Sequence, residues 1–241
     1  MKNFRIIPRL EVKTKHLIKG IQMEGLRKVG CPVEFSIKYS KEKADEIFYD
    51  DIVASLYDRP YDLKMINKIS KNLDIPLIVG GGIKSLSTAI EVFKNGADRV
   101  SVNSAALLKP SLLREIAKIF GSQSVAVQLQ IKKLNESYEV FAESGRERKN
   151  IDLFDWIKIV QKFGIGEIIC IFIDRDGMEG VADIEILKKI RNQTKVQLLY
   201  GGGISKYDEI KLIKSLGFNG VCISTSLHFN KMKLNEINRD I

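Results

Sequence analysis

Two periodicities alternate along this chain. Apolar, β-branched runs begin near Arg5, Asp45, Ile75, Arg99, Ser124, Gly166, Val196 and Gly220, and their period-two alternation predicts strands. Val125 to Lys132, V-A-V-Q-L-Q-I-K, is the plainest. Valine, valine, leucine and isoleucine hold one set of alternate positions, and Ala126, Gln128, Gln130 and Lys132 hold the other. Amphipathic segments follow most of these runs: Val33–Lys43, Tyr61–Asn72, Leu86–Asn95, Pro110–Phe120, Leu153–Phe163, Ile184–Asn192, Tyr207–Ser215 and a short tail from Asn230. Ser85 and Asp152 stand where helix N-caps are needed, and Gly96 and Gly217 where helices close. Eight strand–helix units in 241 residues is the count of an α/β (β/α)8 TIM barrel. A doubly wound open sheet is the alternative.

The pattern also repeats. V-G-G-G-I-K at Val79 and Y-G-G-G-I-S at Tyr200 lie 121 positions apart, as do G-A-D-R-V-S-V-N-S at Gly96 and G-F-N-G-V-C-I-S-T at Gly217. Two motifs in one register predict two related half-barrels, residues 1 to about 120 and about 121 to 241, in one closed domain. Thr14–Gly30 and Lys133–Asn150 read as longer irregular stretches after strand ends, on the face where such barrels carry chemistry. The second suggests a small hairpin excursion, and both are lid candidates.

Composition narrows the functional classes. A net charge of +9 admits a polyanion partner, but lysines such as Lys64, Lys68 and Lys71 are spread over helix faces among acids. An ordinary basic surface with an anionic small-molecule site is the better reading, without nucleic acid. No run of 18 or more apolar residues occurs, and Met1 to Leu10 lacks a secretory pattern. Cys31, Cys170 and Cys222 form neither a disulfide framework nor a zinc pattern. Together these predict a soluble cytoplasmic protein.

The glycine triplets carry the chemistry. Glycine at a strand end lets backbone N–H groups approach a phosphate. Asn103–Ser104 and Ser224–Thr225 add side-chain donors beside each triplet. Two such sites on one barrel mouth imply a ligand with a phosphate at each end. In I-D-R-D-G, Asp174 and Asp176 could bind a metal or ribose hydroxyls, or orient a loop. His16 and His228 read as loop and helix-start residues, and Trp156 as core.

Taken together, R-I-I-P-R-L-E-V-K, I-K-G, V-G-G-G-I, G-A-D-R-V-S-V-N-S-A-A, F-G-S-Q, G-I-G-E-I, I-D-R-D-G and the final H-F resemble the cyclase subunit of imidazole glycerol phosphate synthase, nearly end to end. The resemblance implies a (β/α)8 barrel that takes ammonia from a glutaminase subunit, as a heterodimer, and uses it on a bisphosphorylated aminoimidazole carboxamide ribonucleotide. It implies no cofactor and no metal. Gly82, Asn103 and Ser104 would hold one phosphate, and Gly177, Gly203, Ser224 and Thr225 the other. Lys19 would sit on a mobile first loop, with Asp176 also in the substrate site. Arg5, Glu46, Arg99 and Glu167 match the family's charged ring where ammonia enters, with Arg99 in place of the commoner lysine. Asp98 and Gln123 match its partner-facing side.

The departures concern catalysis. The family's two catalytic aspartates fall at Glu11 and Gln130. Glutamate can still exchange a proton, but glutamine has none that titrates near neutral pH. Counting in twos from Glu11 and Glu46 also places Arg9 and Asp50 inside the barrel at similar height. Neither charge is cheaply buried alone, so the two are expected to pair. Gln128 would lie below Gln130. One reading is therefore a divergent cyclase–lyase of histidine biosynthesis. Another is a cyclase-inactive channel that passes ammonia on for amidation of a surface-polysaccharide or flagellar sugar. The segment A-S-L-Y-D-R-P-Y-D resembles that second branch. A phosphosugar isomerase is the third reading.

Overall fold

The computed structural model describes residues 4–54 and 61–237, so most of A-S-L-Y-D-R-P-Y-D, Ser55 to Pro60, lies outside the described residues. Eight parallel strands close on themselves: β1 (Arg5–Lys13), β4 (Ile47–Asp51), β5 (Leu77–Gly80), β6 (Arg99–Val102), β7 (Val125–Leu134), β10 (Glu167–Phe172), β11 (Gln197–Gly201) and β12 (Gly220–Ile223). The last pairs with the first, Arg5 opposite Gly220, which seals the barrel. Helices α1 (Pro32–Lys41), α2 (Leu63–Ser70), α3 (Leu86–Lys94), α5 (Ser111–Phe120), α6 (Leu153–Val160), α7 (Ile184–Gln193) and α8 (Tyr207–Ser215) lie between successive strands. Short helices α4 (Ser104–Leu108) and α9 (Thr225–His228) follow β6 and β12.

Local chemistry explains the boundaries. Ser85 accepts from Thr88 N at 3.2 Å and Asp152 from Phe154 N at 2.8 Å, so both expected N-caps satisfy otherwise orphaned donors. Asp62 and Asp183 cap α2 and α7 in the same way. One pairing recurs 121 residues on. The Asp98 carboxylate accepts from Leu77 N at 2.8 Å, and the Asn219 amide oxygen from Leu198 N at 2.9 Å.

Alternation gives the barrel two cores. Outward-facing Leu10, Tyr49, Val79, Val100 and Leu129 pack under the helices with Trp156. Inward-facing Ile7, Phe48, Ile78, Ala126, Ile169, Leu199 and Cys222 fill the lumen.

The two stretches read as irregular are β-hairpins. β2 (His16–Ile21) and β3 (Glu24–Gly30) fold back on β1, with Val12 opposite Leu17. β8 (Ser137–Ala142) and β9 (Glu147–Asp152) extend β7, as the hairpin expectation for that stretch has it. The first hairpin turns at Gln22 and Met23, both at positive φ (51° and 62°). That is the conformation of a two-residue turn normally marked by Asn-Gly, so the residues gave no signal. His16 accordingly begins a strand rather than sitting in a loop. The tail from Asn230 carries one 3-10 turn at Leu234–Glu236 instead of a helix, the short helix lying just before it.

Candidate active site

The lower end of the barrel is closed by four charges. Arg5 Nη1 donates to Glu46 Oε1 at 3.0 Å, and Arg99 Nη1 to Glu167 Oε2 at 2.7 Å. Arg5 with Glu167 and Arg99 with Glu46 complete the ring. Gln197, which sequence reasoning missed, accepts from Arg5 Nη2 at 2.9 Å. Two cations and two anions neutralise one another, which is what permits their burial. Asp98 and Gln123 are exposed at this same end, and Asp98 borders an open groove of about 500 Å³ walled by Leu73, Ile75, Pro76 and Leu77.

A second charged layer lies above the apolar lumen. Arg9, only 2% exposed, donates from Nε and Nη2 to Asp50 Oδ2 at 3.0 and 2.7 Å. The expected pair therefore forms. Arg9 Nη1 also reaches Glu11 Oε1 at 2.9 Å, and its guanidinium lies 5.9 Å from the Phe48 ring centre. Gln128 Nε2 donates to Asp50 at 3.2 Å, below Gln130 as the period-two count requires.

Lys19 corrects an expectation. It lies on β2, almost wholly buried, rather than on an open loop. Its ammonium donates to both Glu11 oxygens at 2.7 and 2.8 Å, and to both Asp176 oxygens at 2.8 and 2.7 Å. Such a site is tolerable only because every charge has a partner. Burial, then the neighbouring Glu11, pushes the Asp176 carboxyl above its usual range, while Lys19 and Arg9 oppose the shift. Gln22 N donates to Asp176 O at 2.7 Å, which docks the hairpin tip on the I-D-R-D-G turn. Asp174 takes the loop-orienting role, accepting from Lys133 N at 2.7 Å.

The two glycine sites differ in size. The first encloses about 320 Å³ between Gly81–Gly82, Asn103–Ser104 and Gln128–Gln130. The second, with Gly177, Gly203, Ser224 and Thr225, encloses about 20 Å³, and Arg9 and Asp176 form part of its wall. Both turns need glycine. Gly82 and Gly203 sit at φ 65° and 78°, with no room for a Cβ. The Ser224 hydroxyl donates to Arg9 O at 3.0 Å. Ser104 Oγ instead accepts from Glu143 N at 3.1 Å, leaving its hydrogen to donate. Gln130 Oε1 accepts from Gly145 N at 3.0 Å, so this amide braces the β8–β9 hairpin.

His228 is the last residue of α9 rather than a helix start. It is buried, with Nδ1 2.8 Å from Tyr39 Oη and Nε2 3.1 Å from Arg9 O. With Nδ1 accepting from the tyrosine and Nε2 donating to the carbonyl, the neutral ring satisfies all partners. Burial pulls its pKa from 6.5 down to about 3. The unfolded chain then binds a proton between these values that the folded chain does not, so stability falls as pH is lowered through this window. Denaturant titrations should show about 3 kcal/mol lost between pH 6.5 and about pH 4. The His228→Gln variant should lose most of that pH slope.

Residues 5–233 of the chain match the family described as "Histidine biosynthesis protein". Curated relatives named "Imidazole glycerol phosphate synthase subunit HisF" cover most of it. That of Legionella pneumophila is 40% identical over 87% of this chain and 99% of its own length. That of Pyrobaculum aerophilum is 35% identical over 98% and 94%, and that of Pelodictyon phaeoclathratiforme 40% identical over 96% and 93%.

Proposed function

The chain belongs to the histidine biosynthesis protein family, within its group of imidazole glycerol phosphate synthase HisF subunits, and on that premise we propose that it is an ammonia-using barrel of the lyase/cyclase type, paired with a glutaminase. Ammonia enters at the ring of Arg5, Glu46, Arg99 and Glu167, with the glutaminase docked beside Asp98 and Gln123. Neutral ammonia crosses the lumen lined by Ile7, Phe48, Ile78, Ala126, Ile169 and Leu199 more readily than ammonium, whose charge those side chains cannot solvate. The Arg9–Asp50–Gln128 layer gives it hydrogen-bonding partners before the mouth. The substrate is a bisphosphorylated ribonucleotide with one phosphate at each glycine site. The protein works in the cytoplasm, in keeping with three unbridged cysteines; among the described residues no helix is long and apolar enough to cross a membrane.

Glu11 is the residue that exchanges protons, and its surroundings set the terms. In the closed state both its oxygens are held by Lys19 and one also by Arg9. It becomes available when a substrate phosphate draws Lys19 and its hairpin aside, which also enlarges the second glycine site. Gln130 hydrogen-bonds substrate but supplies no proton, so ring closure runs slowly. The single observation that carries this reading is the coexistence of a complete floor ring with a buried carboxylate at position 11, on one barrel axis.

A second reading has its own support. Gln130 bracing Gly145, together with a second glycine site of about 20 Å³, favours a barrel that passes ammonia onward for sugar amidation. One experiment separates the two. The purified chain is given the ribonucleotide and saturating ammonium, and imidazole glycerol phosphate is followed. Conversion upholds the cyclase reading, whereas ribonucleotide bound but left unconverted upholds the second.

A further inference from the structure

Arg9, Glu11, Lys19, Asp50 and Asp176 form one continuous set of buried ion pairs. Two cations face three carboxylates, so cations have to be shared. Lys19 spends its contacts on Glu11 and Asp176 alone. Arg9 is divided. Its Nε and Nη2 hold Asp50 Oδ2 at 3.0 and 2.7 Å, while Nη1 lies 2.9 Å from Glu11 Oε1 and 4.0 Å from Asp176 Oδ1. Burial works against the charge of Arg9, and Glu11, Asp50 and Asp176 together outweigh it, so the guanidinium stays ionised.

In this position Arg9 bars the lumen. Arg9 stands on β1, Asp50 on β4 and Gln128 on β7, which faces β1 from the opposite side of the barrel. The bonds from Arg9 and Gln128 to Asp50 therefore reach across the full width of the interior, just above the Phe48 ring. Ser101 lies in the same row as Asp50 through Gly80, and its buried hydroxyl has no partner. The main chain of Arg9 is pinned, because its carbonyl accepts from Ser224 Oγ at 3.0 Å and from His228 Nε2 at 3.1 Å. Only its side chain is left to move.

We infer that Arg9 is a two-position gate for ammonia: paired with Asp50 it closes the lumen, and when Lys19 leaves Glu11 and Asp176 its guanidinium lifts off Asp50 toward those two carboxylates. This rests on the ammonia-using reading of the barrel. The direction follows from the charges. With Lys19 in place the mouth carboxylates are satisfied and Arg9 serves Asp50. Without Lys19, two carboxylates above compete with one below for a single cation. Nη1 already bonds Glu11, and a shift of about 1 Å brings it within hydrogen-bond distance of Asp176. An anion in the second glycine site, whose wall includes Arg9, pulls the same way. Asp50 keeps its bond from Gln128, so the layer parts at Arg9 and opens beside Ser101. Glu11 Oε2, which bonds only Lys19 among the described residues, is freed in the same step, while Oε1 stays on Arg9.

The test is NMR of the full chain with isotope-labelled arginine, following solvent exchange of the Arg9 Nε–H. Its rate is divided by that of the Leu129 backbone amide under the outer core, which cancels any change in global stability. In Lys19→Met this ratio should rise about tenfold or more, because the Nε–H loses Asp50, and Lys19→Arg should restore the original ratio. Adding the bisphosphorylated ribonucleotide to the unsubstituted chain should raise the ratio in the same way, which keeps the test decisive if Lys19→Met does not fold. An unchanged ratio in folded Lys19→Met, or an equal rise in Lys19→Arg, would overturn the gate. A ribonucleotide that does not bind would count against the proposed substrate instead, with the Lys19 variants still deciding the gate.

Discussion

Replacing Arg9 with methionine should cost about 3–5 kcal/mol of stability, or abolish folding at ordinary temperature. The loss does not come from contacts removed but from charges left behind. Among the described residues Asp50 would keep the 3.2 Å bond from Gln128, and Glu11 would lose one of its two cations, both carboxylates being almost wholly buried. Methionine is an unbranched, flexible side chain that replaces much of the arginine stem, so cavity formation is the smaller part of the loss. The double variant Arg9→Met/Asp50→Leu should recover a substantial part of the loss, because it removes the orphaned charge as well. Urea titration of the two single variants and the double variant measures the coupling. Strictly additive losses would mean that Arg9 and Asp50 do not act as a pair.

Lys19→Met should be the second large effect, and its size should depend on pH. Among the described residues, Lys19 is the one group that touches both Glu11 and Asp176 within 3 Å. Without it, Asp176 faces Glu11 with Arg9 at 4.0 Å as its nearest remaining cation. The Asp176 carboxyl is already raised above 3.8 by burial, and losing Lys19 raises it further. A carboxyl whose folded pKa exceeds its unfolded one binds more protons when folded, so stability falls as pH rises through the folded value. The variant should therefore be about 3 kcal/mol less stable than the parent near pH 7, and the deficit should shrink as the pH is lowered and Asp176 takes up its proton. The hairpin would also lose its anchor, so amide exchange along β2 and β3 should speed up. A penalty independent of pH would remove Asp176 from this explanation.

Some of this site is legible in the residues and some is not, for physical reasons. Arg9, Asp50 and Gln128 could be placed because a strand points alternate side chains inward, and two buried opposite charges at one height have little choice but to meet. The glycine sites could be placed because the motif recurs at a fixed offset. The partner of Lys19 could not. It depends on how a hairpin folds across the mouth, and that hairpin turns on Gln22 and Met23, residues with no preference for positive φ. The place of Glu143 was invisible likewise, since the approach of its backbone N–H to Ser104 depends on a loop returning over the barrel. His228 read as a helix-start residue because its partners, Tyr39 and the Arg9 carbonyl, are distant in sequence and neither advertises a histidine.

The asymmetry between the two glycine sites links the fold to function. One is roomy and has unpartnered polar atoms, and the other is closed by an ion-paired hairpin. In the mechanism we propose, a substrate anchored at both ends opens the second and so releases Glu11, which makes substrate binding and exposure of the proposed acid/base group one event and keeps a buried carboxylate from standing uncompensated in the empty protein.

The most direct measurement is the rate of imidazole glycerol phosphate formation at saturating ammonium by the unsubstituted chain and by Gln130→Asp. Aspartate there supplies the missing titrating group among Asp50, Asp51 and Glu143, whose charges favour its protonated form. The account predicts slow, ammonium-dependent product from the unsubstituted chain and a rate about a hundredfold higher from Gln130→Asp. Equal rates from the two proteins, or no product from either, would contradict it.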